Sequence, residues 1–126
     1  MMSQDRTIEQ FLRDIRDTAE GVGRLVAETD RETFMNSPTG SWAIERGIIQ
    51  LGEIASQLRN RHEEYVEAHP EIDPPGMRSA RNIVVHGYAT IDRGRIWQIA
   101  VEKVPAVGDA ADSLLRGLGG DRGVER

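Results

Sequence analysis

The sequence of 126 residues contains no cysteine, only six aromatic residues, and no apolar run long enough to cross a bilayer. Without cysteine there is no disulfide, no thiolate metal site and no cysteine nucleophile, and a reducing compartment fits. A membrane-spanning helix needs about 20 consecutive apolar residues, and residues 1–7 lack the apolar segment of a signal peptide. We therefore expect a cytoplasmic protein that has no membrane partner.

The charge of the chain is distributed unevenly. The formal net charge is −5, which by itself argues against binding to nucleic acid. Residues 77–96, however, hold four arginines and one aspartate, so this segment has a net charge of +3 on an otherwise acidic chain. Such a patch is typical either of a site for an anionic partner or of a solvated helix end. The four residues are Arg78, Arg81, Arg93 and Arg95.

Apolar residues recur at helical spacing along most of the chain, and nothing reads convincingly as a strand. Thr7 and Gln10 have the spacing of a capping box at the start of the first stripe. The stripes predict an all-α fold, an antiparallel bundle of four to five helices. We expect helices from near Thr7, from an N-cap at Ser41, over 61–69, over Pro75–Gly87 and from a cap at Asp92.

These helices are predicted to form a single domain over residues 1–118. Residues 119–126 contain further glycines and charges, and are expected to form a flexible C-terminal tail. Pro105 should kink or split the last helix, because proline lacks the N–H that a helix interior requires. Gly52 lies beside the apolar stripe of its helix and would permit a close crossing with a neighbour.

The predicted helix over Pro75–Gly87 has two chemically different faces. At about 100° per residue, Met77, Ala80, Ile83, Val84 and Gly87 fall on one side, which should face the core. The opposite arc presents Arg78, Arg81, Asn82 and His86. Val85 lies within this polar arc, where a second subunit could pack.

The polar arc carries groups that suit cleavage of RNA. Asn82 lies four residues before His86 and could hydrogen-bond the imidazole and fix its tautomer. Arg81 could hold a phosphate through two N–H groups, and Tyr88 could turn toward the same site. The set suits attack of a ribose 2′-OH on its adjacent phosphate, in which histidine moves the proton and arginine neutralises the developing charge without a metal. The alternative is a role in packing and helix capping.

At these residues the sequence resembles a known family. Arg81-Asn82, three residues and then His86-Gly87-Tyr88 resemble the signature of HepT-like proteins in the HEPN superfamily. Three further blocks resemble the same family in the same order: Leu51–Ala55, His69–Ile72, and Ile96–Ala100 followed by Val104–Pro105. The sequence departs from the family pattern at two places, and both bear on RNA specificity. Pro74–Gly76 stands where the family usually has a bulky residue, and Ala80 stands where it usually has methionine.

The resemblance implies an all-α bundle that dimerises through the motif helices. It implies a metal-independent endoribonuclease toxin that acts on RNA, with tRNA or mRNA as candidate substrates, and that needs no cofactor. It also implies a nucleotidyltransferase antitoxin that attaches AMP to Tyr88. By resemblance, Arg81 and His86 are catalytic and Asn82 and Arg78 support them. A helical binding module that docks such a partner without cleaving RNA is the alternative function.

Other residues give weaker indications of chemistry. His62 and His69 flank several acids, but no nearby pair has the i, i+4 spacing of a zinc-binding helix. Glu45 and Glu53 are too far apart in sequence to form a carboxylate dyad, so exposed surface acids are the simpler interpretation. No P-loop is present. We interpret the two tryptophans, Trp42 and Trp97, as core or interface anchors.

Overall fold

The computed structural model describes residues 6–37, 39–86 and 92–123, and these residues form helices joined by short connections. A 3₁₀ turn covers Thr39–Ser41, another covers Pro70–Ile72, and a π-helical segment covers Ile99–Lys103. The described residues contain no strand, and the prediction of an all-α fold is confirmed. The α-helices are α1 (Ile8–Ala27), α2 (Arg31–Asn36), α3 (Trp42–Arg61), α4 (Glu63–Ala68), α5 (Pro74–His86), α6 (Arg93–Gln98) and α7 (Val104–Gly123).

The first helix begins where its capping box predicts. Thr7 Oγ1 accepts a hydrogen bond from the backbone N–H of Gln10 at 3.1 Å, and Gln10 Oε1 accepts one from the backbone N–H of Thr7 at 2.9 Å. Two of the N–H groups that every helix start leaves without a partner are thereby satisfied. The apolar stripe of α1 then enters the core through Phe11, Leu12, Ile15, Ala19 and Val22.

Four long helices, α1, α3, α5 and α7, surround one apolar core, and shorter helices connect them. α1 and α3 are antiparallel: Val22 packs against Gly47, whereas the His62 ring at the end of α3 lies 2.9 Å from the Arg6 carbonyl before α1. The predicted antiparallel bundle is therefore confirmed. The stripe predicted for the last helices is buried at Ile96, Ala100, Val104, Val107 and Ala111.

The short helix α2 was not predicted from the sequence. Asp30 caps it by accepting a hydrogen bond from the Thr33 N–H at 2.8 Å, and this bond lowers the pKa of the Asp30 carboxyl. Its buried residue, Phe34, packs against Trp97 with ring centroids 5.2 Å apart. Six residues are too few for a helical stripe to show, so Asp30 was the available signal.

Ser41 precedes α3 as expected, but the prediction that its side chain caps the helix is wrong. Ser41 ends the 3₁₀ turn with helical backbone angles and makes no capping hydrogen bond. Its buried hydroxyl instead donates to Glu45 at 2.5 Å and accepts a bond from Arg93 at 2.9 Å. The 3₁₀ turn directs the side chain into the protein and away from the N–H groups of the first turn of α3.

The interruption predicted at Pro105 takes the form of the π-helical segment Ile99–Lys103. Proline cannot donate to the carbonyl four residues earlier, that of Val101, and its ring would clash with it. A local π-helical turn changes the bonding register at this point. α7 is described as far as Gly123, and the domain limit at residue 118 stays a prediction. Among the described residues, no helix is long and apolar enough to span a membrane.

Arg93 connects α6 to α2 and to the segment between α2 and α3. Its Nη2 donates to the Phe34 carbonyl at 2.9 Å, to the Ser37 carbonyl at 3.0 Å and to the Ser41 hydroxyl at 2.9 Å. Its guanidinium also lies over the Phe34 ring, 5.5 Å from the centroid. This arginine of the predicted basic patch therefore serves the fold.

We expect Arg93→Ala to lower the free energy of unfolding by roughly 2–3 kcal/mol. Hydrogen bonds to a charged group contribute about 1.5–3 kcal/mol, and the two carbonyls would lose their donor. Arg95→Ala is the matched control, since Arg95 is exposed and a surface substitution changes stability by about 0.5 kcal/mol or less. Urea unfolding of both variants measures the difference, and equal midpoints would contradict the role given to Arg93.

Candidate active site

The motif helix α5 is anchored at its start by Asp73. This residue has a left-handed backbone, with φ of 54°, and its Oδ1 accepts a hydrogen bond from the Gly76 N–H at 3.1 Å. Its other carboxylate oxygen forms an ion pair with Lys103 in the π-helical segment. The start of α5 is thus tied to the helix before α7. The sequence signal for this cap was an aspartate directly before Pro74-Pro75, which suit a first helical turn.

The two faces predicted for α5 are observed. Met77, Ala80 and Val84 are buried in the core. On the other side Arg78 and His86 are exposed, and Arg81 and Asn82 are half-buried. Ala80, one of the two departures from the family pattern, faces the core. Val85, within the polar arc, is also half-buried.

Gly52 allows α3 and α5 to cross with their backbones in near contact. A Cβ atom on Gly52 would lie 2.6 Å from the Cβ of Arg81 and 2.9 Å from the carbonyl oxygen of Met77. Both distances are shorter than real Cβ atoms allow, so position 52 has room for glycine alone. The predicted close crossing is confirmed, and it brings the next residue of α3, Glu53, beside Arg81.

Two neighbours contact the Arg81 guanidinium. Its Nη1 donates to Asn82 Oδ1 at 3.1 Å, and its Nε lies 3.9 Å from Glu53 Oε2. Asn82 was expected to be able to bind the imidazole of His86, but its amide oxygen accepts a hydrogen bond from Arg81 instead. His86 lies exposed in the last described turn of α5, one turn after Asn82.

An open groove of about 510 Å³ runs between α3 and α5 beside Arg81. Two arginines, a serine and a glutamine give it several hydrogen-bond donors, which suit the oxygens of a phosphate and a sugar. His86, whose imidazole is a group suited to proton transfer, is exposed five residues beyond Arg81 on the same helix. The groove is lined by Gly52, Glu53, Ser56, Gln57, Arg78 and Arg81.

Tyr88 and Gly87 lie outside the described residues, so the expected position of Tyr88 near the groove stays a prediction. Glu53 lies at the site because the neighbouring Gly52 allows α3 and α5 to cross closely. Periodicity within α3 does not reveal such a contact between helices. Glu45 instead accepts a hydrogen bond from the Ser41 hydroxyl. The described residues therefore bring together Arg78, Arg81, Asn82 and Glu53, with His86 one turn beyond Asn82.

The histidines outside the motif take part in packing. His62 bonds the Arg6 carbonyl and contacts the edge of Phe11, and His69 stacks on Tyr65 with ring centroids 4.3 Å apart. Within the described ranges, no group of three or more acidic or histidine side chains could hold a metal ion. Trp97 is a partly buried anchor against the core, but Trp42 is 64% exposed and is not a core residue.

Comparison with known proteins identifies similar sequences over nearly the whole described chain. The family model described as ribonuclease HepT-like matches residues 6–114. A Methanocaldococcus jannaschii protein named "Putative RNase" is 29% identical over 102 residues, which cover 81% of this chain and 91% of that protein. "Probable ribonuclease HepT" from Thermococcus cleftensis is 24% identical over 102 residues, covering 81% and 90%. No solved structure gives a significant match.

We expect Gly52→Ala to destabilise the protein by about 1–3 kcal/mol, because the added methyl group overpacks the crossing of α3 and α5. The matched control is Gly117→Ala in α7, where a Cβ would meet nothing within 4 Å. That change should stabilise by about 0.4–1 kcal/mol by restricting the unfolded chain. Thermal unfolding of both variants tests the crossing, and a Gly52→Ala protein as stable as Gly117→Ala would contradict it.

Proposed function

Because the chain belongs to the HepT-like ribonuclease family, we propose that it is a metal-independent endoribonuclease toxin of a toxin–antitoxin pair. The observation that carries the proposal is the polar arc of α5. Arg81 lines an open groove, and His86 is exposed five residues further along the same helix. A cation for the phosphate and a group for proton transfer thus share one rigid element.

In the proposed reaction the ribose 2′-oxygen attacks the adjacent phosphorus. The His86 imidazole accepts the proton of the 2′-OH as the O2′–P bond forms and the P–O5′ bond breaks. The departing 5′-oxygen takes a proton from a second imidazole. Arg81 neutralises the charge that develops on the phosphoryl oxygens. The products are a 2′,3′-cyclic phosphate and a 5′-hydroxyl.

The second imidazole is proposed to come from a second copy of the chain. Each motif supplies one imidazole, and a twofold dimer that packs α5 against its symmetry mate would bring two to one cleft. Val85 supports this assembly, since it is an apolar residue within the polar arc. The same arrangement would place two copies of Arg81 beside the phosphate.

The substrate is proposed to be a structured RNA, such as tRNA or mRNA. Arg78 and Arg81 line the groove on a chain whose total charge is negative. Attraction of the phosphate backbone would therefore be local to this face, and base preferences would come from the other groove residues. Ala80 is buried, so its departure from the family pattern acts on specificity only through packing.

The chain is proposed to be regulated by a nucleotidyltransferase partner that transfers AMP from ATP to the Tyr88 hydroxyl and releases pyrophosphate. This residue follows His86 by two positions. Esterification of its hydroxyl with AMP adds a nucleotide and a negative phosphate directly after the catalytic helix. A charged group there would repel the RNA phosphate and occupy its space.

Purified protein should cleave structured RNA in the presence of EDTA and leave a 2′,3′-cyclic phosphate. His86→Ala and Arg81→Ala should each lower the rate by at least ~10²-fold, since each removes a group that acts in the transition state. Both side chains are exposed or half-buried, so the variants should keep the fold. The cleavage rate and the ends of the products are measured by mass spectrometry, with each variant purified in parallel.

His69→Gln provides the control for loss of an imidazole outside the motif and should cleave as the natural chain does. Equal activity in the natural and His86→Ala proteins would indicate a contaminant or a different site. Inactivity of all proteins, with Tyr88 shown by mass to be unmodified, would favour a binding module that docks the partner. Light scattering on the same sample should show a dimer, and a strict monomer would refute the composite site.

Incubation with the partner and ATP should add AMP units to the chain, as measured by intact mass. Tyr88→Phe should abolish the addition. Tyr65→Phe is the control, because Tyr65 is half-buried against His69, and burial and the nearby Glu71 raise the pKa of its hydroxyl. Modification that persists in Tyr88→Phe but disappears in Tyr65→Phe would show that Tyr65, and not Tyr88, is the target.

A further inference from the structure

Glu53 is an acidic residue in a groove that is proposed to bind a polyanion. Since its carboxylate would repel an RNA phosphate, its presence there calls for a physical reason. We propose that Glu53 is a positioning residue for Arg81, which orients the guanidinium and weakens its hold on the phosphate of the bound substrate. This inference rests on the proposed ribonuclease function and assigns a part of that site.

The contacts of Arg81 leave one edge of its guanidinium for a ligand. Nε faces Glu53 Oε2 at 3.9 Å, and Nη1 donates one hydrogen to Asn82 Oδ1 at 3.1 Å. A guanidinium has five N–H donors in one plane. At 3.9 Å the Glu53 carboxylate acts on the guanidinium through charge, whereas Asn82 forms a hydrogen bond with it. The two neighbours act on different nitrogens and so favour one orientation of the group, and Nη2 is left to bind oxygens of a phosphate.

The position of Glu53 is set by the crossing of the helices. Gly52 brings the backbone of α3 against the Cβ of Arg81 and the carbonyl of Met77. The backbone of Glu53, the next residue, therefore cannot move away from Arg81 unless the two helices separate. Backbone packing places Glu53 within reach of Arg81, and charge attraction brings its carboxylate to the guanidinium.

The Glu53–Arg81 pair gives the fold little stability. The side chains of Arg81 and Glu53 are 32% and 48% exposed, and pairs this open to water contribute almost nothing to folding. The carboxylate does partly neutralise Arg81, however, so it lowers the attraction of this one cation for phosphate. Arg78 lines the same groove, is exposed, and forms no ion pair with any of the described residues.

This arrangement separates substrate binding from catalysis. Arg78 would supply affinity for the RNA backbone, whereas Arg81 would be oriented toward the charge that develops on phosphorus. An interaction accelerates the reaction only if it is stronger in the transition state than in the bound substrate. A guanidinium that is oriented toward the developing charge meets this requirement better than a free one, while its partial neutralisation limits the affinity for the bound substrate.

The test is Glu53→Gln, which keeps the size of the side chain and removes its charge. We expect kcat to fall about 10-fold, because orientation is lost, and KM to fall as well, because Arg81 binds the ground state more tightly. RNA binding, measured on a His86→Ala background that cannot cleave, should depend more steeply on salt. The slope of log K against log[salt] should grow by up to about 0.7 for single-stranded RNA. The melting temperature should stay the same.

Glu64→Gln is the matched control, because Glu64 is exposed on α4 and the substitution changes the total charge equally. Glu53→Asp should recover part of kcat, since it restores the charge. Values of kcat, KM and salt slope equal to those of Glu64→Gln would refute the inference, and so would a fall in melting temperature that accounts for the lost activity. If the natural protein is inactive but Glu53→Gln still steepens the salt dependence of RNA binding, the proposed function is refuted and the inference about Glu53 is not. If the natural protein is inactive and the salt dependence does not change, both are refuted.

Discussion

The contact between α3 and α5 at Gly52 supports both the core and the site. Here the backbone of one helix touches the first side-chain atom of Arg81 and the carbonyl of Met77 in the other. On the inner side of this contact Met77 and Ala80 are buried. On the outer side the contact forms the floor of the groove and places Glu53 beside Arg81. Packing and chemistry therefore share one constraint on how close the two helices lie.

The four arginines of the basic segment contribute equally to its net charge, but their contacts in the structure differ. Arg93 binds backbone carbonyls and holds the α2–α3 connection, so its charge is used within the protein. Arg81 is restrained by two neighbours at the groove. Arg78 and Arg95 are exposed. The charge available to an anionic partner is consequently smaller than the net +3 of the segment suggests, and it is divided between α5 and α6.

The features that the sequence predicted are those determined by residues close together along the chain. The capping box at Thr7, the cap at Asp92 and the two faces of α5 depend on spacings of three or four residues, which a helix makes into contacts. The features that it missed depend on distant partners. The Ser41 hydroxyl turns toward Arg93, 52 residues away, and Glu53 reaches Arg81 across a helix crossing. No local pattern specifies such pairs, although glycine at 52 did indicate a close approach.

The anchoring of α5 has a mechanical consequence for the distance between its two motif residues. The helix is supported at its start, where Asp73 pairs with Lys103, and again where Gly52 meets Met77 and Arg81. His86 lies five residues beyond the second support, or about 7.5 Å along the helix axis at 1.5 Å per residue. A helical segment this short is rigid. The axial separation of Arg81 and His86 is therefore fixed by the helix itself, and adjustment to a substrate falls to side-chain rotation.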